Sequence, residues 1–339
     1  MSEQLPRVSV IMPVINEERH LADAVEGILG QDYSGDLEVV IAVGPSRDRT
    51  RAIADHLAEV HPNVVVVANP TGRTPAGLNA AIAHASGEVI IRVDGHAMIP
   101  RDYASTAVSA IAATGADNVG GIMAAVGSTD FECAVARAMT SKFGVGGASF
   151  HVGGEPGPAL TVYLGCFRRE ALARVGGYDD TMERAQDWEM NLRIRQTGGI
   201  VWFTPDLQVT YRPRPTVRAL AKQYHDYGRW RREVARRHPD TISLRYLAAP
   251  VAVVGIAFGI AVGIAGVAIG IEWLAVLGFA APLGYLAANL AASVESTIRR
   301  PRLRWRTALS MPIVYATMHG AWGLGFLRGV PAPKSDVTP

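Results

Sequence analysis

Between Leu247 and Ala292 the chain carries a single charged residue, Glu272, and so long an uncharged run has no ordinary place on a soluble fold. Leu247 to Gly270 is long enough to cross a hydrocarbon core, which takes about 20 apolar residues in a helix. After Ile271-Glu272, a second run from Trp273 to Val294 has the same property. The two predict a hairpin of spanning helices, the alternative being a helical hairpin buried in a soluble core. A third run, Ala308 to Leu327, holds Pro312, His319 and several glycines, and suits a crossing, a re-entrant or an interfacial segment. Arg299, Arg300, Arg302, Arg304 and Arg306 follow the second run directly, and the positive-inside rule places such a cluster in the cytoplasm. Two crossings then put everything before Leu247 on that same side. Met1 to Arg7 is short and polar, without the apolar core of a signal peptide. The expectation is a multi-pass plasma-membrane protein with a cytoplasmic N-terminal domain.

That domain has a different texture. Up to about Pro239, charged residues alternate with apolar ones in the manner of an α/β fold, and the net charge of +2 over 339 residues says little beside its distribution. The division expected is an α/β domain over 1–213, a basic amphipathic segment over 214–240, a membrane region over 241–330 and a tail over 331–339. Val8 to Val14, Leu37 to Val43, Asn63 to Ala68 and Glu88 to Val93 read as strands, since they are short, apolar and rich in β-branched residues. Amphipathic helices fall between them: one with Leu21, Val25, Ile28 and Leu29 on a face, one over Asp48 to Val60, one over Pro75 to Ala85. This βαβαβαβ order predicts a mainly parallel sheet covered by helices on both faces. No GxGxxG follows the first strand and no P-loop is present, which removes the dinucleotide and P-loop fingerprints. Cys133 and Cys166 are expected to be free thiols in a reducing compartment.

The fourth strand carries the chemistry. Glu88-Val-Ile-Ile-Arg-Val-Asp94-Gly-His96 runs from buried apolar residues into a carboxylate and an imidazole one residue apart. Ligands in open α/β sheets collect outside the carboxyl ends of the strands. Asp94 and His96 can both reach one divalent ion there, and such an ion commonly bridges phosphate oxygens. A plain turn is the other reading, because Asp-Gly is a common turn pair. Gly144 to Pro158 lacks apolar periodicity and reads as a loop, placed where a lid over a site would be.

In order along the chain, Val-Ser-Val-Ile-Met-Pro13-Val-Ile-Asn16-Glu17, Ser46-Arg-Asp48-Arg-Thr50, Asn69-Pro-Thr-Gly-Arg-Thr-Pro-Ala-Gly-Leu-Asn79, Arg92-Val-Asp94-Gly-His96, Gly165-Cys-Phe-Arg-Arg-Glu-Ala-Leu, Val175-Gly-Gly-Tyr-Asp-Asp and Gln186-Asp187-Trp-Glu189 resemble the family 2 glycosyltransferases. The likeness covers roughly residues 7 to 240. Within that family the chain resembles the membrane-anchored bacterial exopolysaccharide enzymes of the succinoglycan glucosyltransferase group. The resemblance implies a GT-A fold, Rossmann-like, that binds a nucleotide-diphosphate sugar with a divalent metal, Mn2+ or Mg2+, and transfers the sugar with inversion.

Carried onto this sequence, the resemblance makes Asp94 and His96 the metal ligands; it identifies no third, for which the lone histidines His151 and His225 are the candidates, although most lone histidines are not ligands. It makes Asp187 the base that takes the acceptor proton, a task suited to a carboxylate. Gln186 stands where the family has glutamate, Glu189 is the substitute base, and a helix N-cap is the structural alternative for Asp187. Pro13, Asn16, Glu17, Arg73, Asn79 and Asp94 fall to the nucleotide sugar, Arg73 by phosphate contact or else as an ordinary loop arginine. Gly165, Trp188, Glu189, Gln223, Arg229 and Trp230 fall to the acceptor or the membrane interface. The second strand departs from the family by reading Ala42-Val43-Gly44-Pro45-Ser46 where an acidic base-recognition residue is usual, and Asp48 suits a helix start instead. His96 in place of a second aspartate tilts the metal towards Mn2+.

Gln223 to Trp230 contains the elements of the Gln-x-x-Arg-Trp motif of processive members with the spacing wrong by three residues, which argues against a polymer-extruding synthase. Its basic and aromatic residues predict a helix on anionic lipids of the inner leaflet. The expected activity is transfer to a lipid-linked or polysaccharide acceptor, with a polyprenyl-phosphate sugar synthase, or a silent partner of a glycan-assembly complex, as alternatives. Nucleic acid is not an expected partner, because the basic residues adjoin the apolar runs and no recognition module accompanies them.

Overall fold

The computed structural model describes residues 5–299 and 301–330. Arg300 of the basic cluster, Met1 to Gln4 and the tail 331–339 lie outside the described residues. The chain divides into two compact units, one formed by residues up to 124 with 147–211, the other by 125–146 with 212 onward.

The first unit begins with the predicted alternation: β1 (Val8–Val14), α1 (Leu21–Leu29), β2 (Leu37–Val43), α2 (Thr50–Val60), β3 (Val64–Ala68), α3 (Thr74–His84), β4 (Val89–Arg92) and α4 (Tyr103–Thr114). The strands are buried on both faces, which is why they read as continuous apolar runs rather than alternating ones. On one side Val8, Val10, Met12 and Val14 of β1 pack with Leu21, Val25 and Ile28 of α1 and with Tyr103 and Ala107 of α4. On the other, Ile11, Val40 and Ala42 pack with Leu78 and Ala81 of α3 and with Met190 and Ile194.

Beyond α4 come β5 (Asn118–Ala125), α5 (Asp130–Met139), two short turns of helix, α6 (Lys142–Val145) and α7 (Ser149–Val152), and then β6 (Gly157–Pro158), β7 (Tyr163–Arg168), α8 (Arg169–Val175), α9 (Gln186–Gln196) and β8 (Val201–Tyr211). The eight strands lie in the order β3-β2-β1-β4-β7-β5-β8-β6. The parallel arrangement expected from the alternation holds for β3-β2-β1-β4. The other half is mixed, because β7 runs antiparallel to both β4 and β5, and β6 antiparallel to β8. Leu164 and Gly165 take positive φ values of 58° and 110° in β7, opposite the register shift between Val119 and Gly121. A Cβ at Gly165 would fall 2.5 Å from the Phe167 ring, so the bend requires glycine, and Gly165 serves the sheet. The segment 144–158, expected as a loop, includes α7 and β6, and the Ser141 hydroxyl starts α6 by accepting from Phe143 N at 3.2 Å.

The second unit is helical: α5 and α6 with α10 (Val217–Arg237), α11 (Leu244–Ala268), α12 (Glu272–Ile298) and α13 (Trp305–Arg328). α11 and α12 are long and apolar enough to cross a membrane, and only 17% and 11% of their most apolar windows are buried. Phe258, Val267, Trp273, Val276 and Leu283 are all more than 60% exposed, the opposite of what a soluble core hairpin presents. The two helices meet on glycine: a Cβ at Gly259 would fall 2.5 Å from Gly278 O, and one at Gly278 2.2 Å from Gly263 N. Small residues that bring backbones this close are the usual contact between helices in lipid. α13 covers the third apolar run and is not among the candidate spans. α10 lies against it backbone to backbone, since a Cβ at Gly228 would fall 2.0 Å from Trp322 O and one at Gly325 2.0 Å from His225 O.

Candidate active site

The site gathers at the carboxyl end of β4, and the residue that organises it is Arg92. It is 4% exposed in a strand otherwise made of Val89, Ile90 and Ile91. An unpaired guanidinium there is prohibitively costly, so the position demands carboxylate partners. Arg92 Nη2 donates to Asp94 Oδ1 at 3.0 Å and Nε to the same oxygen at 3.2 Å, while Nη1 donates to Asp187 Oδ1. Burial alone would lower the Arg92 pKa; the Asp187 and Asp94 charges outweigh it and hold the group cationic. One buried cation thus ties the end of β4 to the start of α9.

Asp187 sits in the first turn of α9 but does not cap it. The N-cap is Ala185, with φ 59° and no side-chain cap. Burial raises the Asp187 carboxyl to about 6, with Arg92 pulling it down and Asp94 pushing it up. Its side chain is still 26% exposed, so the carboxylate is both tuned towards neutrality and reachable. The neighbouring Glu189 is engaged differently: it is 4% exposed and held bidentately by Arg193, with Nε to Oε1 at 2.6 Å and Nη2 to Oε2 at 2.7 Å. That geometry leaves Glu189 poorly placed as a substitute base. Trp188 is half-buried between the two acids in sequence.

The tyrosine before α9 completes the cluster. Tyr178 is 3% exposed, and burial first, then the Asp187 charge, pushes its phenol well up, so it stays protonated beside the acids. Its backbone is fixed by Asn79, whose Oδ1 accepts from Tyr178 N at 2.8 Å and whose Nδ2 donates to Tyr178 O at 2.7 Å and Asp180 Oδ1 at 2.8 Å. Asn79 spends its hydrogen bonds on this turn, which is the physical reason an asparagine stands there.

On the other side of Asp94, the loop after β1 is braced by the loop after β2. Asn16, in the left-handed region at φ 55°, accepts from Arg47 N at 2.8 Å and donates its own N–H to Ser46 Oγ at 3.1 Å. Glu17 N donates to Thr50 Oγ1 at 2.7 Å, and Asp48 accepts from the Thr50 hydroxyl at 2.6 Å and from Glu18 N at 3.2 Å. Asp48 therefore serves the start of α2, as its sequence position suggests. The Glu17 carboxylate reaches His96 Nδ1 at 2.9 Å. Gly95 allows this approach, because a Cβ there would lie 2.8 Å from Val14 Cγ1 and 3.2 Å from Glu17 Cγ. Pro13 is half-buried on β1 opposite Ala42. Arg73 precedes α3 and is 55% exposed, 3.9 Å from Glu183.

Among the described residues no group of three or more His, Cys, Asp or Glu side chains converges as a metal cage. What β4 offers is a two-donor set, Asp94 and His96, with Glu17 against the imidazole. Asp94 and His96 are the residues that would hold a divalent ion, which would supply charge stabilisation for a phosphate leaving group. Of the two candidates for a third ligand, the His151 imidazole is lowered to about 4 by burial and lies tilted against the Phe150 ring at 4.2 Å between centres, and His225 lies on α10 beside Asp226. Gln223 donates to the Tyr227 hydroxyl one turn along α10 at 3.0 Å, Arg229 to Gly329 O at 3.0 Å, and Trp230 is 9% exposed. Cys166 is buried with its thiol pushed up to about 12, and both cysteines are free.

The sequence reading named Asp94, His96, Glu17 and Asp187 and passed over Arg92 and Tyr178, which lie beside Asp94 and Asp187 in the fold. The available signal for Arg92 was a lone charge inside a fully buried strand.

Comparison with known proteins agrees with this architecture. Residues 9–176 match the family described as glycosyl transferase family 2. The succinoglycan biosynthesis protein ExoA of Rhizobium meliloti is 33% identical over 332 residues, covering 96% of both chains. A dolichyl N-acetyl-alpha-D-glucosaminyl phosphate 3-beta-D-2,3-diacetamido-2,3-dideoxy-beta-D-glucuronosyltransferase of Methanococcus voltae is 26% identical, covering 65% of this chain and 71% of that one. In fold, the chain is similar to a mannosyltransferase of Pyrobaculum calidifontis solved with GDP-Man and Mn2+, with a TM-score of 0.57 at 23% identity over 93% of this chain and 87% of that one. On this likeness along its whole length and the mixed GT-A sheet that carries the site, the chain belongs to glycosyl transferase family 2.

Proposed function

We propose that this glycosyltransferase moves a sugar, with inversion, from a nucleotide-diphosphate sugar to a lipid-linked glycan at the cytoplasmic face of the membrane. The observation that carries the reading is the Asp94–Arg92–Asp187 linkage, which holds a metal-competent carboxylate and a carboxylate tuned to about 6 on one buried cation. Inversion requires a base on the face of the sugar opposite the leaving group, and Asp187 is exposed enough to accept the acceptor proton. A divalent ion at Asp94 and His96 would supply charge stabilisation for the departing diphosphate. Arg92 keeps both acids in position, and Tyr178 adds a neutral phenol beside them. The two apolar helices, with the arginines after α12, support the multi-pass cytoplasmic-facing orientation. The Methanococcus relative, whose name specifies a dolichyl-linked acceptor, supports a lipid-linked acceptor here.

The test is turnover by detergent-purified protein of a panel of nucleotide sugars, with native lipid extract and with Mn2+ or EDTA. The expected result is one donor consumed only with metal, product of inverted anomeric configuration by NMR, and loss of turnover in Asp187→Asn and Asp94→Ala. Metal-independent turnover, or retained activity in Asp187→Asn, overturns the assignment.

A further inference from the structure

We propose that Glu17 is a positioning residue of the divalent-ion site, its carboxylate holding the His96 imidazole so that Nε2 serves the ion shared with Asp94. This rests on the Asp94–His96 site proposed above, and it gives Glu17, which the resemblance assigns to the nucleotide sugar, a task within that site.

Glu17 Oε1 lies 2.9 Å from His96 Nδ1. An ionised carboxylate can only accept, so Nδ1 carries the hydrogen and the lone pair of the ring falls on Nε2. A histidine binds a divalent ion through such a lone pair. A carboxylate on the opposite nitrogen fixes the tautomer, orients the ring and makes it a stronger donor. The Glu17 side chain is 20% exposed and that of His96 53%, so the carboxylate is sheltered while the ring stays reachable from solvent. Asp94 is steadied in the same manner, because Arg92 donates to its Oδ1 from both Nε and Nη2.

The loop after β1 is built around this placement. Asn16 turns the chain in the left-handed region at φ 55° and is held there by Ser46 Oγ and Arg47 N. Glu17 follows it and is pinned on both sides of its backbone. Its N–H donates to Thr50 Oγ1 at 2.7 Å, and its carbonyl accepts from His20 N at 3.1 Å and Leu21 N at 3.0 Å. Between the two ion-binding residues stands Gly95, where a Cβ would lie 2.8 Å from Val14 Cγ1 and 3.2 Å from Glu17 Cγ. The absence of a side chain there lets the end of β4 close on Glu17. Loops from β1, β2 and β4 thus converge to set one carboxylate on one ring nitrogen, and that oxygen is committed before any nucleotide arrives.

The experiment is a titration of detergent-purified full-length protein with Mn2+ alone, followed by loss of the free-ion EPR signal. The parent is compared with Glu17→Ala, Glu17→Gln, His96→Ala and the Glu17→Ala, His96→Ala double variant. Binding of UDP and of GDP in EDTA is measured in parallel. Glu17→Ala should weaken Mn2+ binding about 10- to 100-fold. Glu17→Gln, whose amide oxygen still accepts from Nδ1, should recover most of that loss. In the His96→Ala background, Glu17→Ala should cost less than about 2-fold more, because a residue acting through another then has nothing to act on. Nucleotide binding in EDTA should be the same in the parent and Glu17→Ala. Parent-like Mn2+ binding by Glu17→Ala overturns the proposal and leaves the ion site standing. An equal loss with and without His96 also overturns it, since Glu17 would then touch the ion itself, and so does nucleotide binding lost in Glu17→Ala. A parent that binds no Mn2+, or a His96→Ala variant that binds it fully, removes the Asp94–His96 site and this assignment with it.

Discussion

At the scale of residues, the site depends on one buried cation shared by two acids. Removing one partner from such a pair leaves an uncompensated buried charge, typically costing about 3–5 kcal/mol. Arg92→Met should therefore leave Asp94 and Asp187 facing each other without a counter-charge, lowering the thermal midpoint and abolishing turnover together. A variant that melts like the parent would show that the linkage is not structural. Asp187 supplies a second, separable prediction. Its pKa is raised, so it is protonated and unable to accept a proton below about 6, and kcat/KM should fall as pH drops through that value. Asp187→Asn should lose about 100- to 10,000-fold in kcat, with donor affinity little changed, and should lose the acid limb with it. The limb's persistence in the residual activity would assign it to another group.

At the scale of elements, glycines set how closely helices pack. The crossing of α10 on α13 has no room for a side chain at Gly228, where a Cβ would meet Trp322 O at 2.0 Å. Gly228→Leu should destabilise the helical unit by at least about 1–3 kcal/mol, the usual cost of overpacking. Faster tryptic cleavage within 212–240 in detergent is the readout, and protection equal to the parent would contradict the packing. This crossing also accounts for Trp230. A basic, aromatic helix reads from its sequence as one lying on a leaflet, yet Leu220, Tyr224, Gly228 and Val234 are buried in the folded unit, and Trp230 is buried with them.

At the scale of the whole molecule, α11 and α12 expose most of their apolar side chains, which water does not tolerate over so large an area. The protein should remain in the membrane fraction after alkaline carbonate and leave it only with detergent. Release by carbonate would mean that the two helices are covered by protein instead.

How much of this was legible in one dimension differs from place to place. Strands β1 to β4 and the two long apolar helices were readable because their signals are local: β-branched runs between turns, and lengths of uncharged residues matched to a bilayer. Asp94, His96, Glu17 and Asp187 could be singled out as candidates because their types and order resemble the family's motifs. By itself the sequence determined a parallel α/β start, an apolar end and the chemical inventory of a transferase. Tertiary structure alone decided the mixed half of the sheet, the partners of Arg92, Tyr178 and Asn79, and the membership of 125–146 in the helical unit. Each of these depends on partners 95 or more residues away, or on strands that pair out of sequence order, and no local pattern of hydrophobicity encodes which distant carboxylate will meet a buried guanidinium.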